Sequence, residues 1–315
     1  MGIKIRDSLA EIVLYISYYL ISHILPLHLQ YRVAKWVGSF LFFVIPTRRK
    51  IGISKMSRVL KKEKAEVKKC VKKMVQNYCY RIVELFLLPK LNWDNVNNFI
   101  EYEGLEYLDQ VLSQGKGGIM ATPHLGNCEL GCAGLLIKGY PVIPIAWNIP
   151  VKGIDRLFKQ IKQKIGMMSI HPDQAGMRKV LSALEDNKLV GIVSDVDGGP
   201  TGIPVEFFGR KKSFPIGPIK LALLTKAALI PIYCFRTRPG NLKVMIEEPM
   251  ILEKGHTPKE ELFINTQRLA QKIESYISKY PEQWLWLPLE EAEEEIGKIT
   301  LMSLSVSIFF NMYYS

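Results

Sequence analysis

His124 and Glu129 stand five residues apart in Gly118-Ile-Met-Ala-Thr-Pro-His124-Leu-Gly126-Asn127-Cys128-Glu129-Leu-Gly. The apolar run before His124 reads as a strand ending at Thr122-Pro123, and the glutamate falls on the helix that should follow. On one helix, residues five apart point about 140° away from each other, so His124 belongs in the loop, with Gly126 letting the chain turn. Glu129 on the first turn can then accept from one imidazole nitrogen, fix the tautomer and raise the basicity of the other. Such a pair suits a general base with its orienting carboxylate, while a loop histidine satisfied by its neighbours is the plainer reading of these two residues taken alone. The backbone amides of Gly126 and Asn127 at the helix start are placed to meet an oxyanion or a phosphate. Cys128 lies inside the motif but reads as packing, because a nucleophilic thiol needs its own positioned base.

A second cluster runs from Ser194-Asp195-Val-Asp197-Gly198-Gly199-Pro200 to Phe207-Phe208-Gly209-Arg210-Lys211-Lys212. The apolar run Leu189 to Val193 delivers two carboxylates into a Gly/Pro-rich loop. In a parallel sheet that loop opens at the carboxyl ends of the strands, where ligands bind. A turn in which Asp bonds its own backbone is the plainer alternative for this pair. Phe207 and Phe208 followed by Arg210, Lys211 and Lys212 suit an acyl chain or a lipid with an anionic head group, although aromatics of an edge strand look the same. No HExxH, GxSxG, GxxxxGK[ST] or GxGxxG pattern is present, so zinc proteolysis, serine hydrolysis, P-loop and dinucleotide chemistry have no sequence support.

The elements that must position these residues follow from texture. Beyond Asn98, short apolar runs at Gly118–Ala121, Val142–Ala146, Val190–Val193, Leu229–Phe235 and Leu242–Ile246 alternate with helical stretches such as Gly153–Ile165 and Gln174–Asp186. Such alternation predicts an α/β fold, a mainly parallel central sheet flanked by helices. Residues 99–288 form this core. Residues 1–47 read as a hydrophobic helical membrane anchor, 48–98 as a basic helical segment with one helix from Ile53 to Leu87, and 289–315 as an acidic, then apolar tail.

The chain of 315 residues carries a formal charge of +12, and Arg48 to Lys73 alone contributes +10. That points to an anionic partner. Two aromatic-rich apolar stretches, Ile12–Leu25 and Val33–Ile45, precede this block, each shorter than the ~20 residues of an ordinary span. A tilted anchor, a pair of interfacial helices and packed core helices are the three readings. The adjacent basic block favours the membrane, because Lys/Arg clusters after such stretches bind the anionic cytoplasmic leaflet. Both signs of charge in the leading residues, and no small-residue cleavage site, argue against a removable signal. Nucleic acid is disfavoured, since no aromatic platform or helix-turn-helix accompanies the basic block. Five cysteines without paired spacing encode no disulfide framework and no zinc module.

Taken together, these motifs resemble the bacterial lipid A biosynthesis acyltransferases, a branch of the lysophospholipid acyltransferases. The resemblance rests on His124-Leu-Gly-Asn-Cys-Glu129-Leu-Gly, with Cys128 where the family usually has Trp, then Asp195 to Pro200, Phe207 to Gly209, Pro215-Ile-Gly-Pro218 and Tyr280-Pro-Glu-Gln-Trp-Leu-Trp286. It implies fatty acyl transfer from an acyl carrier protein, or coenzyme A, to a hydroxyl of a lipid A precursor or related glycolipid at the cytoplasmic face of the inner membrane. His124 would be the base and Glu129 its support. Gly126, Asn127, Asp195, Asp197, Gly199, Pro200, Phe207, Phe208 and Arg210 would contact substrate. No metal or cofactor is implied beyond the acyl-phosphopantetheine thioester as co-substrate, and no nucleic acid. Where the family usually has an arginine in the helix after the second core strand, this chain reads Phe158-Lys-Gln-Ile-Lys162-Gln-Lys164, so any such role would fall to a lysine such as Lys164. After Trp286 the usual basic end is replaced by an acidic run. Acylation of a lysophospholipid or a mannosylated glycolipid, and a non-catalytic lipid-binding protein of this fold, are the alternatives.

Overall fold

The computed structural model describes residues 15–286, apart from 17, 21, 22, 150, 151 and 285. Most of the first apolar stretch's leading half and the whole 289–315 tail therefore lie outside the described residues. The chain divides into two compact units, one of residues 1–90, 147–166 and 285–315 and the other of 91–146 and 167–284.

In the first unit, three helices succeed one another: α1 (Leu27–Val44), α2 (Pro46–Leu60) and α3 (Lys64–Leu87). Pro46 ends α1, because the residue before a proline is pushed out of the helical region, and then serves as the first residue of α2. The single helix expected from Ile53 to Leu87 is thus two. Lys61 turns left-handed at φ 52° and its amide bonds back to Ser57, so the chain breaks before α3 starts again at Lys64.

α1 packs on α3 through Tyr31, Ala34, Cys79, Tyr80 and Val83. The crossing is close at Gly38, where a Cβ would stand 2.7 Å from the Gln76 Cα. The opposite face of α1 exposes Val33, Trp36, Val37, Phe40, Phe43 and Val44, Trp36 at 79%. These positions recur at i, i+3, i+4, i+7, a continuous apolar stripe. Among the described residues no helix is long and apolar enough to cross a membrane. The hydrophobic membrane anchor expected over residues 1–47 is unsupported: one side of α1 is committed to α3, and its eighteen residues rise only about 27 Å.

The second unit is built on a six-stranded sheet in the order β1-β8-β7-β2-β4-β3. Its strands are β1 (Ile100–Glu103), β2 (Gly118–Thr122), β3 (Val142–Pro144), β4 (Leu189–Val193), β7 (Ala228–Arg238) and β8 (Asn241–Ile246). Every pairing is parallel except β7 with β8, so the expected mainly parallel α/β architecture is present. Strands β5 (Ile203–Phe207) and β6 (Arg210–Phe214) form a separate antiparallel hairpin. Phe208 and Gly209 turn it with φ of 51° and 68°, both positive as a two-residue hairpin demands. After β2 comes helix α5 (Cys128–Ile137), preceded in chain order by α4 (Leu105–Ser113). Further on lie α7 (Gln174–Glu185), α8 (Gly217–Thr225) and α9 (Pro258–Lys279), while α6 (Lys152–Gln163) belongs to the first unit. α9 anchors the hairpin: Gln267 bonds the Glu206 amide and carbonyl, and Glu274 accepts from the Phe208 amide at 2.6 Å.

Candidate active site

β2 and β4 lie side by side with Thr122 opposite Val193, and the Ser194 amide carries the ladder one step further to the Thr122 carbonyl at 2.8 Å. Two residues beyond each strand end come His124 and Asp195, and the shared register brings them together. The His124 Nδ1 lies 2.8 Å from the Asp195 Oδ1, and the His124 amide donates to Oδ2 at 2.8 Å. Both residues are buried. An ionised carboxylate has no proton to give, so Nδ1 carries the hydrogen and Nε2 is the nitrogen able to take up a proton.

The carboxylate on Nδ1 is therefore Asp195, a contact the sequence reading did not foresee. Glu129 lies half-buried on the first turn of α5. A residue five on from the histidine sits on another element, whereas Asp195 is delivered by the neighbouring strand in register. Burial by itself would push the Asp195 carboxyl up. The His124 ring, the Lys212 ammonium and the Trp284 indole outweigh that and hold it at about 2, below the ordinary 3.8.

Trp284 donates its indole N–H to Asp195 Oδ2 at 2.6 Å. Its backbone bridges Leu125, and the neighbouring Gln283 carbonyl accepts from the Gly126 amide at 2.9 Å. The Gln283 side chain closes the clamp on β7, accepting from the Arg236 amide at 2.7 Å and donating to its carbonyl at 2.8 Å. The Gly126 amide is thus committed to the protein, not held open for an oxyanion as the sequence suggested. Gly126 is needed for its shape: φ is 58°, and any Cβ would collide with the Cys234 carbonyl oxygen. Asn127 caps α5, its side-chain oxygen accepting from the Leu130 amide at 3.0 Å.

The remaining expected residues divide. Asp197 is exposed and accepts from the Gly199 amide at 2.9 Å, the self-bonded turn that was the plainer reading; Gly199 and Pro200 are exposed beside it. Phe207 is buried in the hairpin, 4.7 Å from Phe208, 5.0 Å from Phe214 and 6.0 Å from Trp284. These rings form an aromatic wall next to Asp195. Arg210 is exposed at the hairpin turn. Lys164 belongs to the first unit, where its ammonium lies 5.9 Å from the Tyr18 ring. A polar groove of about 570 Å³ lined by Asn97, Glu101, Lys138, Arg238 and Asn241 lies along β1 and β8, away from His124.

The sequence reading gave Trp284 and Gln283 no task and took Lys212 only as part of the basic run for anionic groups. The usable signal was strand adjacency: once β2 and β4 are neighbours, residues two past their ends must meet.

The profile of the family described as bacterial lipid A biosynthesis acyltransferase matches residues 6–289. A phosphatidylinositol mannoside acyltransferase of Mycolicibacterium smegmatis is 27% identical over 73% of this chain and 75% of its own length. One of Mycobacterium tuberculosis is 29% identical over 64% of this chain and 63% of its own length. A lipid A biosynthesis acyltransferase of Haemophilus influenzae is 25% identical over 68% of this chain and 65% of its own length. With a family match that reaches from before the helical unit to beyond Trp286, the chain belongs to the bacterial lipid A biosynthesis acyltransferases.

Proposed function

We propose that this protein transfers a fatty acyl group from a carrier thioester to a hydroxyl of an anionic membrane glycolipid, with His124 as the general base. The observation that carries the reading is the buried His124–Asp195 contact at the ends of β2 and β4, in a chain of acyltransferase ancestry. His124 Nε2 takes the hydroxyl proton as the oxygen attacks the thioester carbonyl. A C–O bond forms, the C–S bond breaks, and the imidazolium returns the proton to the departing thiolate, leaving ester and thiol. No acyl-enzyme is required. Asp195 fixes the tautomer and steadies the imidazolium, and Glu129 adds a second negative charge on the first turn of α5 to balance it.

A phosphopantetheine thiolate leaves readily, so positioning supplies most of the catalytic effect. We assign the acyl chain to the wall of Phe207, Phe208, Phe214 and Trp284. The donor is an acyl carrier protein, an acidic partner matched to the basic segment from Arg48 to Lys73. The acceptor is a lipid A precursor or a mannosylated glycolipid; relatives named for phosphatidylinositol mannoside favour the second. The exposed stripe of α1 and the cations that follow it support binding in the plane of the cytoplasmic leaflet of the inner membrane.

The deciding experiment is transfer from acyl carrier protein and from coenzyme A to a panel of lipid A precursors, mannosylated glycolipids and lysophospholipids, with wild type and His124→Ala. Transfer by wild type that the variant abolishes is expected. Folded, membrane-bound wild type that acylates nothing would replace this reading with lipid binding alone.

A further inference from the structure

The β5–β6 hairpin meets the loop after β4 at a single cation. Lys212 Nζ donates to the Asp195 main-chain carbonyl at 2.6 Å. The same ammonium lies 5.4 Å from the Phe207 ring centroid, 5.2 Å from Phe214 and 5.8 Å from Trp284, a three-sided aromatic cage. Two of these rings belong to the hairpin. The third, Trp284, also holds the Asp195 carboxylate through its indole N–H. One residue thus receives a cation on its carbonyl and an indole on its carboxylate, from two elements far apart in sequence.

We infer that Lys212 is a positioning residue for acyl transfer: caged by Phe207, Phe214 and Trp284, its ammonium pins Asp195 and, through it, the ring of His124. The inference rests on His124 being the base. A caged ammonium is attracted by the ring quadrupoles, and one of its donors is held on the Asp195 carbonyl instead of roaming as a surface lysine does. Lys212 is half-buried where its neighbours Arg210 and Lys211 are exposed. Its charge is also among the influences that keep Asp195 ionised. The other charged or titratable groups on the surrounding elements are Glu129, Cys128 and Cys132 on α5, Asp197 after β4, Tyr233, Cys234, Arg236 and Arg238 on β7, Glu206, Arg210 and Lys211 on the hairpin, Glu274 of α9 against the hairpin, and Tyr280 and Glu282 before Trp284. None of these changes in the variants below.

The test compares Lys212→Met, Lys212→Arg and Trp284→Phe in the full-length, membrane-reconstituted protein, reading kcat and KM from pH 5 to 9. Lys212→Met is expected to lower kcat about tenfold with KM for the donor within about twofold, as misplacement of a base does. Its acid limb should move to higher pH, because losing a nearby positive charge makes protonation of the base easier. Lys212→Arg should restore most of kcat and the wild-type limb. Trp284→Phe, which keeps a ring and removes the indole N–H, should lower kcat without moving the limb as far. Wild-type kcat and limb in Lys212→Met would overturn the inference, and so would an Arg variant that is folded yet no better than Met.

A second readout is independent of turnover. The stability gained as pH rises from about 2 to about 4, through ionisation of Asp195, should shrink in Lys212→Met and persist in Lys212→Arg. An unchanged curve would overturn the inference even in a protein that acylates nothing, whereas loss of wild-type transfer alone would count only against the proposed function.

Discussion

The two carboxylates of the proposed site are anchored differently, Asp195 on the loop after β4 and Glu129 on the first turn of α5. Asp195 is buried, receives His124 at both Nδ1 and the amide, and is held at about 2. Asp195→Asn would present an amide that cannot hold the imidazolium, and kcat should fall on the order of a thousandfold with KM little changed. Retention of wild-type kcat in that variant would return the orienting role to Glu129. The same group makes stability depend on pH with a definite sign. Its carboxyl is depressed below the ordinary 3.8, so the stabilisation is complete above about pH 4 and is lost as pH falls toward 2, an effect of roughly 2 kcal/mol. Chemical denaturation of wild type and Asp195→Asn between pH 2 and 5 checks it: the variant's curve should lack that rise. The histidine was legible because it follows a strand in an otherwise apolar stretch. Its true partner was not, because residues 124 and 195 are joined by sheet pairing, and a single sequence carries no record of which strands are neighbours.

At the scale of elements, the turn between β2 and α5 decides whether the base is placed at all. Gly126 sits at φ 58° against the Cys234 carbonyl, so Gly126→Ala must shift either the loop or β7 and should cost about 3 kcal/mol or more, with transfer lost. Asn127→Ala removes only the helix cap and should cost about 1 kcal/mol, seen as a small fall in Tm. If the two variants were equally mild, the tight approach at Gly126 would not be essential. Five of the six strands of the main sheet coincide with apolar runs, all but β4 flanked by Gly or Pro, which is why they could be read directly. β1 (IEYE) escaped notice because half its residues are acidic; Lys243 neutralises both from β8, at 2.9 and 2.7 Å. The hairpin escaped as well, since Phe-Gly turns it where Asn-Gly is the familiar signal. The break at Lys61 has neither Gly nor Pro to announce it.

Across the whole molecule, charge and exposed apolar surface are set next to each other in sequence: ten of the twelve net positive charges fall between Arg48 and Lys73, directly after the helix whose stripe carries Trp36, Phe40 and Phe43. Cations also lie over the rings at its end, Lys72 at 5.4 Å from Phe43 and Arg49 at 5.5 Å from Phe42. In the proposed membrane contact, two forces of different range would act on a bilayer. The charge is felt over a Debye length of about 10 Å at 0.1 M salt and is screened above that, whereas the stripe acts only on insertion and is indifferent to salt. Vesicle co-sedimentation separates them. Wild type should bind vesicles with 30% anionic lipid far better than zwitterionic ones, and raising salt to 1 M should weaken binding without abolishing it. Replacing Trp36, Phe40 and Phe43 by Ser should remove the salt-resistant part and leave the salt-sensitive part. Since these side chains are already exposed, the folded stability of the variant should change little. Binding that survives both high salt and loss of the stripe would place the membrane contact elsewhere in the chain.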